Sequence, residues 1–110
     1  MKYLKENNFE KIENNMTFIE YLNFTKKEIS SIINILFTTI KMDVITKQEI
    51  TIIGKSINIH YNNNKSILIR KTIDDYYILR FYQGKSNYNY YKCDQLNGLK
   101  SCLNYLIIIK

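Results

Sequence analysis

The sequence predicts an α+β domain, with N-terminal helices and a C-terminal helix packed on an antiparallel sheet of about four strands. Between residues 50 and 93, β-branched and aromatic residues form short runs separated by Asn, Asp or Gly. This is the pattern of strands joined by hairpins. On both sides of that region, apolar residues recur at spacings of three and four, as in helices with one buried face. At 110 residues, the chain is expected to form a single domain, residues 1–110.

The N-terminal part is expected to be helical. Residues 1–15 are mostly polar, which indicates a flexible arm or a frayed helix. The segment Thr17-Phe18-Ile19-Glu20 fits a capping box, in which the threonine hydroxyl accepts from an early backbone N–H and the glutamate reaches back to the cap. We therefore predict a short helix that begins at Thr17 and includes Tyr21 and Leu22.

Thr25-Lys26-Lys27-Glu28 repeats the capping-box pattern and begins the clearest helix in the sequence. Isoleucine is a weak helix former, so this helix is expected to be stabilised by packing. We expect it to end near Met42, followed by a connection over residues 43–48. Its apolar stripe comprises Ile29, Ile32, Ile33, Leu36, Phe37 and Ile40.

Four runs in the central region predict the strands. They cover residues 50–61, 66–72, 76–83 and 88–93, and apolar and polar residues alternate in several of them. Gly54 interrupts the first run and marks a bulge, a bend or a division into two strands. Because the breaks between the runs are short, a meander is the economical topology.

The C-terminal helix is predicted to begin after Asp94, which stands where an N-cap belongs. Gly98 lies within this helix, and glycine there costs about 1 kcal/mol relative to alanine, so it indicates close packing against a neighbouring segment. The apolar stripe comprises Leu96, Leu99, Leu103, Leu106 and Ile107, with Cys102 beside it.

The charge and composition of the chain indicate which kinds of binding partner it favours. The formal net charge is +6. Residues 1–48 carry seven basic and six acidic side chains, whereas residues 49–110 carry nine basic and four acidic ones, so the excess lies in the strand region. This asymmetry favours an anionic partner, although a solubilising surface charge explains it equally well. The abundance of isoleucine, asparagine, lysine and tyrosine indicates an AT-rich genome.

The sequence gives no sign of a membrane segment or an export signal, because its apolar runs are far shorter than a spanning helix needs. The two cysteines, Cys93 and Cys102, do not make a disulfide framework. We expect a cytoplasmic protein with reduced thiols, located in the host cytoplasm if its origin is viral.

Catalytic and metal-binding patterns are missing from the sequence. Its single histidine, His60, and two distant cysteines do not form a metal-ligand set. Cys93 with His60 is the remaining candidate for a nucleophile and its base, but Cys93 and Cys102 are better explained as small apolar fillers. The three glycines match no phosphate-binding loop. We therefore predict no enzyme activity, no metal and no cofactor.

A basic and tyrosine-rich sheet face is the candidate binding surface. Arg80 and Tyr82 share one face of their strand, and Tyr88, Tyr90 and Lys92 share one face of the next. Tyrosine rings can stack on unpaired bases, while arginine and lysine can contact phosphates. Cross-strand Tyr–Arg pairs also stabilise a sheet without any ligand. The candidate binding residues are Arg70, Lys71, Arg80, Tyr82, Tyr88, Tyr90 and Lys92.

The favoured function is a small non-enzymatic module that binds nucleic acid or a nucleoprotein. The alternative is a protein-binding inhibitor of the kind encoded by viruses and mobile elements, for example an anti-CRISPR-like antagonist of host defence. A homodimer that forms through an unprotected sheet edge stays open. The order of elements is similar to that of double-stranded-RNA-binding domains. However, Asp94-Gln95-Leu96-Asn97 lacks that family's basic cluster, so no residue roles are carried over.

Overall fold

The described part of the chain forms a seven-stranded antiparallel sheet with two helices. It is seen in a computed structural model that describes residues 8–12, 20–39, 49–61, 65–84 and 88–109. The helices are α1 (Lys26–Asn34) and α2 (Gln95–Asn104), each continued by a π-helical segment, Ile35–Thr39 and Tyr105–Ile109. The strands are β1 (Phe9–Ile12), β2 (Tyr21–Leu22), β3 (Glu49–Ile53), β4 (Ser56–Tyr61), β5 (Lys65–Thr72), β6 (Tyr76–Tyr82) and β7 (Tyr88–Asp94).

Five of the strands form the predicted meander. The order across the sheet is β1-β7-β6-β5-β4-β3, and β2 pairs with the end of β5 beyond β4. The first predicted run divides into β3 and β4 at Gly54, whose positive φ of 57° suits the first loop position of a two-residue hairpin. Asp75, with φ 64°, lies in the predicted turn between β5 and β6.

Local sequence explains where the helices begin. At α1 the Thr25 hydroxyl accepts from the Glu28 N–H at 3.1 Å, and the Glu28 carboxylate accepts from the Thr25 N–H at 2.8 Å, which confirms the capping box. Asp94 precedes α2 as predicted, but its side chain makes no capping hydrogen bond. Its backbone N–H instead donates to the Asn8 carbonyl at 2.9 Å, which connects β7 to the residue before β1.

The hydrophobic core lies between the helices and one face of the sheet, which we call the covered face. Residues paired directly across antiparallel strands share a face, so the register assigns every strand residue to a face. The opposite face, which we call the open face, contributes none of the residues in the core cluster. The covered-face and helix residues of the core include Ile32, Leu36, Ile57, Ile59, Ile67, Ile69, Leu79, Phe81, Tyr91, Leu99 and Leu103.

The α+β class and the helix that follows Thr25 are confirmed, but the helix expected at Tyr21 and Leu22 and the number of about four strands are wrong. Phe9–Ile12 forms the strand β1, because its backbone pairs with the side of β7 that faces away from β6. Tyr21 and Leu22, expected in a helix, form β2 and pair with Thr72 and Lys71. The expected helix start at Thr17, the helix end near Met42 and the connection 43–48 lie outside the described residues.

The close approach of α2 to β1 at Gly98 gives a test of the fold. A β-carbon at Gly98 would collide with the Asn8 carbonyl oxygen, which is already fixed by the Asp94 N–H. We therefore expect Gly98→Ala to lower the free energy of unfolding by about 1–3 kcal/mol. In an exposed helix the same change would stabilise by about 1 kcal/mol.

Urea denaturation followed by circular dichroism measures this effect. Lys100→Ala, at an exposed position of the same helix, is the control and should change the stability little. A Gly98→Ala variant as stable as the wild-type protein would show that α2 does not approach β1 this closely.

Candidate functional site

Three cations on the open face each lie over a tyrosine ring. The guanidinium carbon of Arg70 is 4.9 Å from the centroid of Tyr21, and that of Arg80 is 4.7 Å from the centroid of Tyr88. The ammonium nitrogen of Lys92 is 3.8 Å from the centroid of Tyr76. All three distances lie within the range of a cation–π interaction. We call this set the cation–tyrosine surface; its members are Tyr21, Arg70, Tyr76, Arg80, Tyr82, Tyr88, Tyr90 and Lys92.

The strand register brings these side chains together. Arg70 and Lys92 both lie directly opposite Ile78, one on each side. Ile78 is only 6% exposed although it lies on the open face, outside the core cluster. Ile78 lies between these two long side chains. Their aliphatic stems can cover it while their charged ends stay at the surface.

Two tyrosines form an aromatic pair at one end of the surface. Tyr82 and Tyr88 are directly opposite each other on β6 and β7, with ring centroids 5.3 Å apart and an interplanar angle of 39°. Tyr88 is 43% exposed and also carries the Arg80 guanidinium over its ring. Tyr90 lies opposite Arg80 in the register. Aromatic area and positive charge are therefore adjacent on the open face.

The charges on the open face are unevenly compensated. Lys92 lies opposite Glu10 of β1, and Asp94 follows two residues further along the same face of β7. Arg80 lies in a cross-strand row with Ile12, Tyr90 and Leu68, none of which is acidic. Arg70 donates a hydrogen bond through Nε to Ser56 Oγ at 3.1 Å, a neutral acceptor. The positive potential is therefore expected to be strongest around the two arginines.

Lys71 lies on the covered face and is separated from the other six candidate residues. It is paired with Tyr77 of β6 in the register, and its ammonium group forms an ion pair with Glu28 at the start of α1. A second, longer contact reaches Asp75 at 3.9 Å. Lys71 thus joins the first turn of α1 to the sheet, and we leave it out of the cation–tyrosine surface.

The pKa of the Glu28 carboxylate is lowered by its contacts with Lys71 and Thr25. Burial raises its pKa, but hydrogen bonds from Lys71 and Thr25 outweigh burial and hold the pKa below its ordinary value. The pKa of neighbouring Tyr77 is raised to about 12, first by burial and then by the charge and hydrogen bonding of Glu28. Glu28 is therefore charged at neutral pH and accepts from several donors.

The comparisons with known proteins identify no relative. No protein-family model matches the chain, and no curated protein or solved structure matches it either.

Six of the seven candidate residues share one face of the sheet, and two further tyrosines of the surface, Tyr21 and Tyr76, were not among the candidates. Arg70, Arg80, Tyr82, Tyr88, Tyr90 and Lys92 all lie on the open face. Tyr76 was detectable, because it continues the alternation of Arg80 and Tyr82 along β6. Tyr21 was not detectable, because the segment that contains it was expected to be helical. Its ring position depends on the pairing of β2 with β5.

The pair considered as nucleophile and base does not form. Cys93 lies on the covered face of β7 and is fully buried, whereas His60 is exposed on the open face of β4. Burial raises the pKa of the Cys93 thiol well above its ordinary value, and the neighbouring Cys102 thiol adds to the shift. A thiol in this environment is a poor nucleophile at neutral pH.

Among the clefts lined by described residues, two border the sheet. One of about 230 Å³ lies next to the cation–tyrosine surface, between Lys92, Tyr76, Glu10 and Asp94. The other, of about 390 Å³, lies by Lys71, Tyr77 and the first turn of α2. Among the described residues, no group of three or more histidine, cysteine or acidic side chains is arranged to hold a metal ion. The helices in the described part of the chain are too short or too polar to cross a membrane.

The Glu28–Lys71 pair predicts a dependence of stability on pH. Because the pKa of Glu28 is depressed in the folded protein, its contribution is fully present above the ordinary pKa of 4.5 and is lost as the pH falls through the lower folded value. We expect Glu28→Gln to destabilise the protein at pH 7 and to differ much less from the wild-type protein in acid.

The free energy of unfolding, measured by urea titration at several pH values, checks this prediction. Glu20→Gln removes a carboxylate that is exposed, so it should leave the pH profile close to that of the wild-type protein. Parallel profiles for the wild-type protein and Glu28→Gln would contradict the assigned role of Glu28.

Proposed function

We propose that the protein binds single-stranded nucleic acid through the cation–tyrosine surface. The observation that supports this proposal is the set of three cations, each held over a tyrosine ring on one open sheet face. Phosphate groups need positive charge, and unpaired bases need flat aromatic area. This surface presents both across four strands, β2, β5, β6 and β7.

The arrangement suits a single strand better than a duplex. In a duplex the bases are stacked on one another, and their flat faces are not accessible to tyrosine side chains. Tyr82 and Tyr88 offer aromatic area at one end of the surface, and Arg80 lies directly beside them. A strand laid along β6 and β7 would place bases on the tyrosines and its backbone on Arg80 and Arg70.

The competing explanation is that these contacts only stabilise the sheet. A cation over an exposed aromatic ring contributes about 0.5–1 kcal/mol without any ligand. The two explanations differ in what the loss of one charge does. A purely structural role changes the stability alone, whereas a binding role also changes the affinity for nucleic acid and its dependence on salt.

The first prediction concerns charge. Arg80→Gln should weaken binding to labelled single-stranded DNA and RNA, measured by fluorescence anisotropy at several salt concentrations. If Arg80 contacts one phosphate, the slope of log K against log salt should become shallower by about 0.7. Lys100→Gln also removes one positive charge, but from the exposed side of α2, across the sheet from the cation–tyrosine surface. It should leave the slope unchanged.

Equal slopes for Arg80→Gln and Lys100→Gln would reject the cation–tyrosine surface as the binding site. Absence of binding by the wild-type protein at about 150 mM salt would reject the function itself.

A second prediction concerns stacking. Tyr82→Leu keeps an apolar side chain at this position but removes the ring, and it should weaken single-strand binding by about 1–3 kcal/mol. Binding to duplexes, which relies on charge, should change little. Thermal denaturation of the variant shows whether the loss arises from unfolding. If single-strand affinity is unchanged in a folded Tyr82→Leu variant, no base stacks on this ring.

The alternative function, a protein-binding inhibitor, would use a different part of the sheet. β3 lies at the edge of the sheet and exposes Ile52 and Ile53, and such an edge can accept a strand from a protein partner. An inhibitor acting there would show no salt-dependent affinity for nucleic acid, so the anisotropy assay separates the two functions.

A further inference from the structure

The outer side of β3 is an apolar sheet edge. Among the described residues, β3 pairs with β4 on one side and with no strand on the other. Ile52 is 45% exposed on the covered face, and Ile53 is 62% exposed on the open face. The apolar side chains of this edge thus reach solvent on both faces of the sheet.

The two edges of the sheet differ in how they are protected. β1, at the opposite edge, carries Glu10 and Lys11 in its centre, and charged side chains discourage pairing with another strand. β3 has isoleucine or threonine at every position after Glu49. Its register with β4 is also continuous, without a bulge. Neither charge nor geometry within β3 therefore prevents another strand from pairing with it.

The hairpin geometry determines which backbone groups face outward. In a two-residue hairpin, the residues that flank the loop, Ile53 and Ser56, are hydrogen-bonded to each other. Backbone groups alternate in direction along an antiparallel strand, so Thr51 also points toward β4. The N–H and C=O groups of Ile50 and Ile52 therefore point to the outer side, where a new strand would pair.

Charge favours a particular partner and direction. The segment from β3 through its turn carries one acidic residue at its start, Glu49, and one basic residue at its end, Lys55. When two copies of this segment run antiparallel, Glu49 of each copy lies at the same end as Lys55 of the other. A parallel arrangement would bring like charges together. For two copies of this segment, charge therefore favours the antiparallel over the parallel direction.

We propose that two copies of this chain associate through β3, antiparallel, with the two-fold axis between the Thr51 residues. This register pairs Ile50 of each copy with Ile52 of the other, and the outward backbone groups of each pair exchange hydrogen bonds. Ile50 already packs against the core, so pairing it with the second Ile52 extends the apolar layer across the axis. The dimer has one continuous sheet, and because residues paired across antiparallel strands share a face, both cation–tyrosine surfaces lie on the same face of it.

The two-fold axis makes residue 51 the test position, because each copy meets itself there. Thr51 is half-buried on the open face, and in the dimer its Cα lies about 4.5 Å from its counterpart. Thr51→Lys or Thr51→Glu places like charges opposite each other and should raise the dimer Kd by roughly 100-fold. An equimolar mixture of the two variants places opposite charges together and should restore the dimer.

Sedimentation velocity measures the mass of the wild-type protein, each variant and the mixture. Asn58→Lys is the matched control, because it adds a charge to the same face directly opposite Thr51 on β4 and should leave the dimer intact. A monomeric wild-type protein, a dimeric Thr51→Lys variant or a mixture that stays monomeric would each overturn the proposal.

A second variant keeps the test decisive if a charged residue at position 51 prevents folding. Thr51→Cys introduces a thiol at the axis, whereas Cys93 and Cys102 are fully buried. A short bismaleimide should convert the folded Thr51→Cys protein to a covalent dimer and leave the wild-type protein uncrosslinked. If Thr51→Cys is not cross-linked, the proposed register is wrong.

Discussion

The register of β6 is the constraint on which both the core and the open face depend. β6 has a strand on each side, and Tyr77, Leu79 and Phe81 face the helices. A slip of one residue would turn Arg80 into the core and expose those three side chains, because alternate residues face opposite sides of a sheet. The cost of burying an unpaired charge excludes that register. The same alternation that builds the core therefore also gathers the cations and tyrosines on the other face.

The long cationic side chains of the open face are held in place by their neighbours. The covering of Ile78 and the tyrosine rings beneath Arg70, Arg80 and Lys92 restrict the freedom of three long side chains. Immobilising such side chains costs about 0.5–1.5 kcal/mol each when it happens on binding. Under the proposed function, this ordering would make the entropic loss on binding an anionic chain smaller than it is for scattered surface lysines.

The sequence was most informative where the signal is local. The capping box at Thr25, the interruption of the first strand run at Gly54 and the alternation along β6 all depend on neighbouring residues, and each appears in the structure. β1 and β2 were missed because strands of four and two residues have no period of their own and exist only through pairing with distant strands. Lys71 shows the same limit: it follows Arg70 directly, so the two must face opposite sides. Its partner Glu28 lies 43 positions away, beyond any local pattern.

The burial of both cysteines has a practical consequence. Cys93 on β7 and Cys102 on α2 are the only thiols in the chain, and both are fully buried where the sheet meets the C-terminal helix. A thiol reagent can reach them only when this part of the molecule opens. The rate of labelling under native conditions therefore reports how often α2 separates from the sheet, without the introduction of any probe.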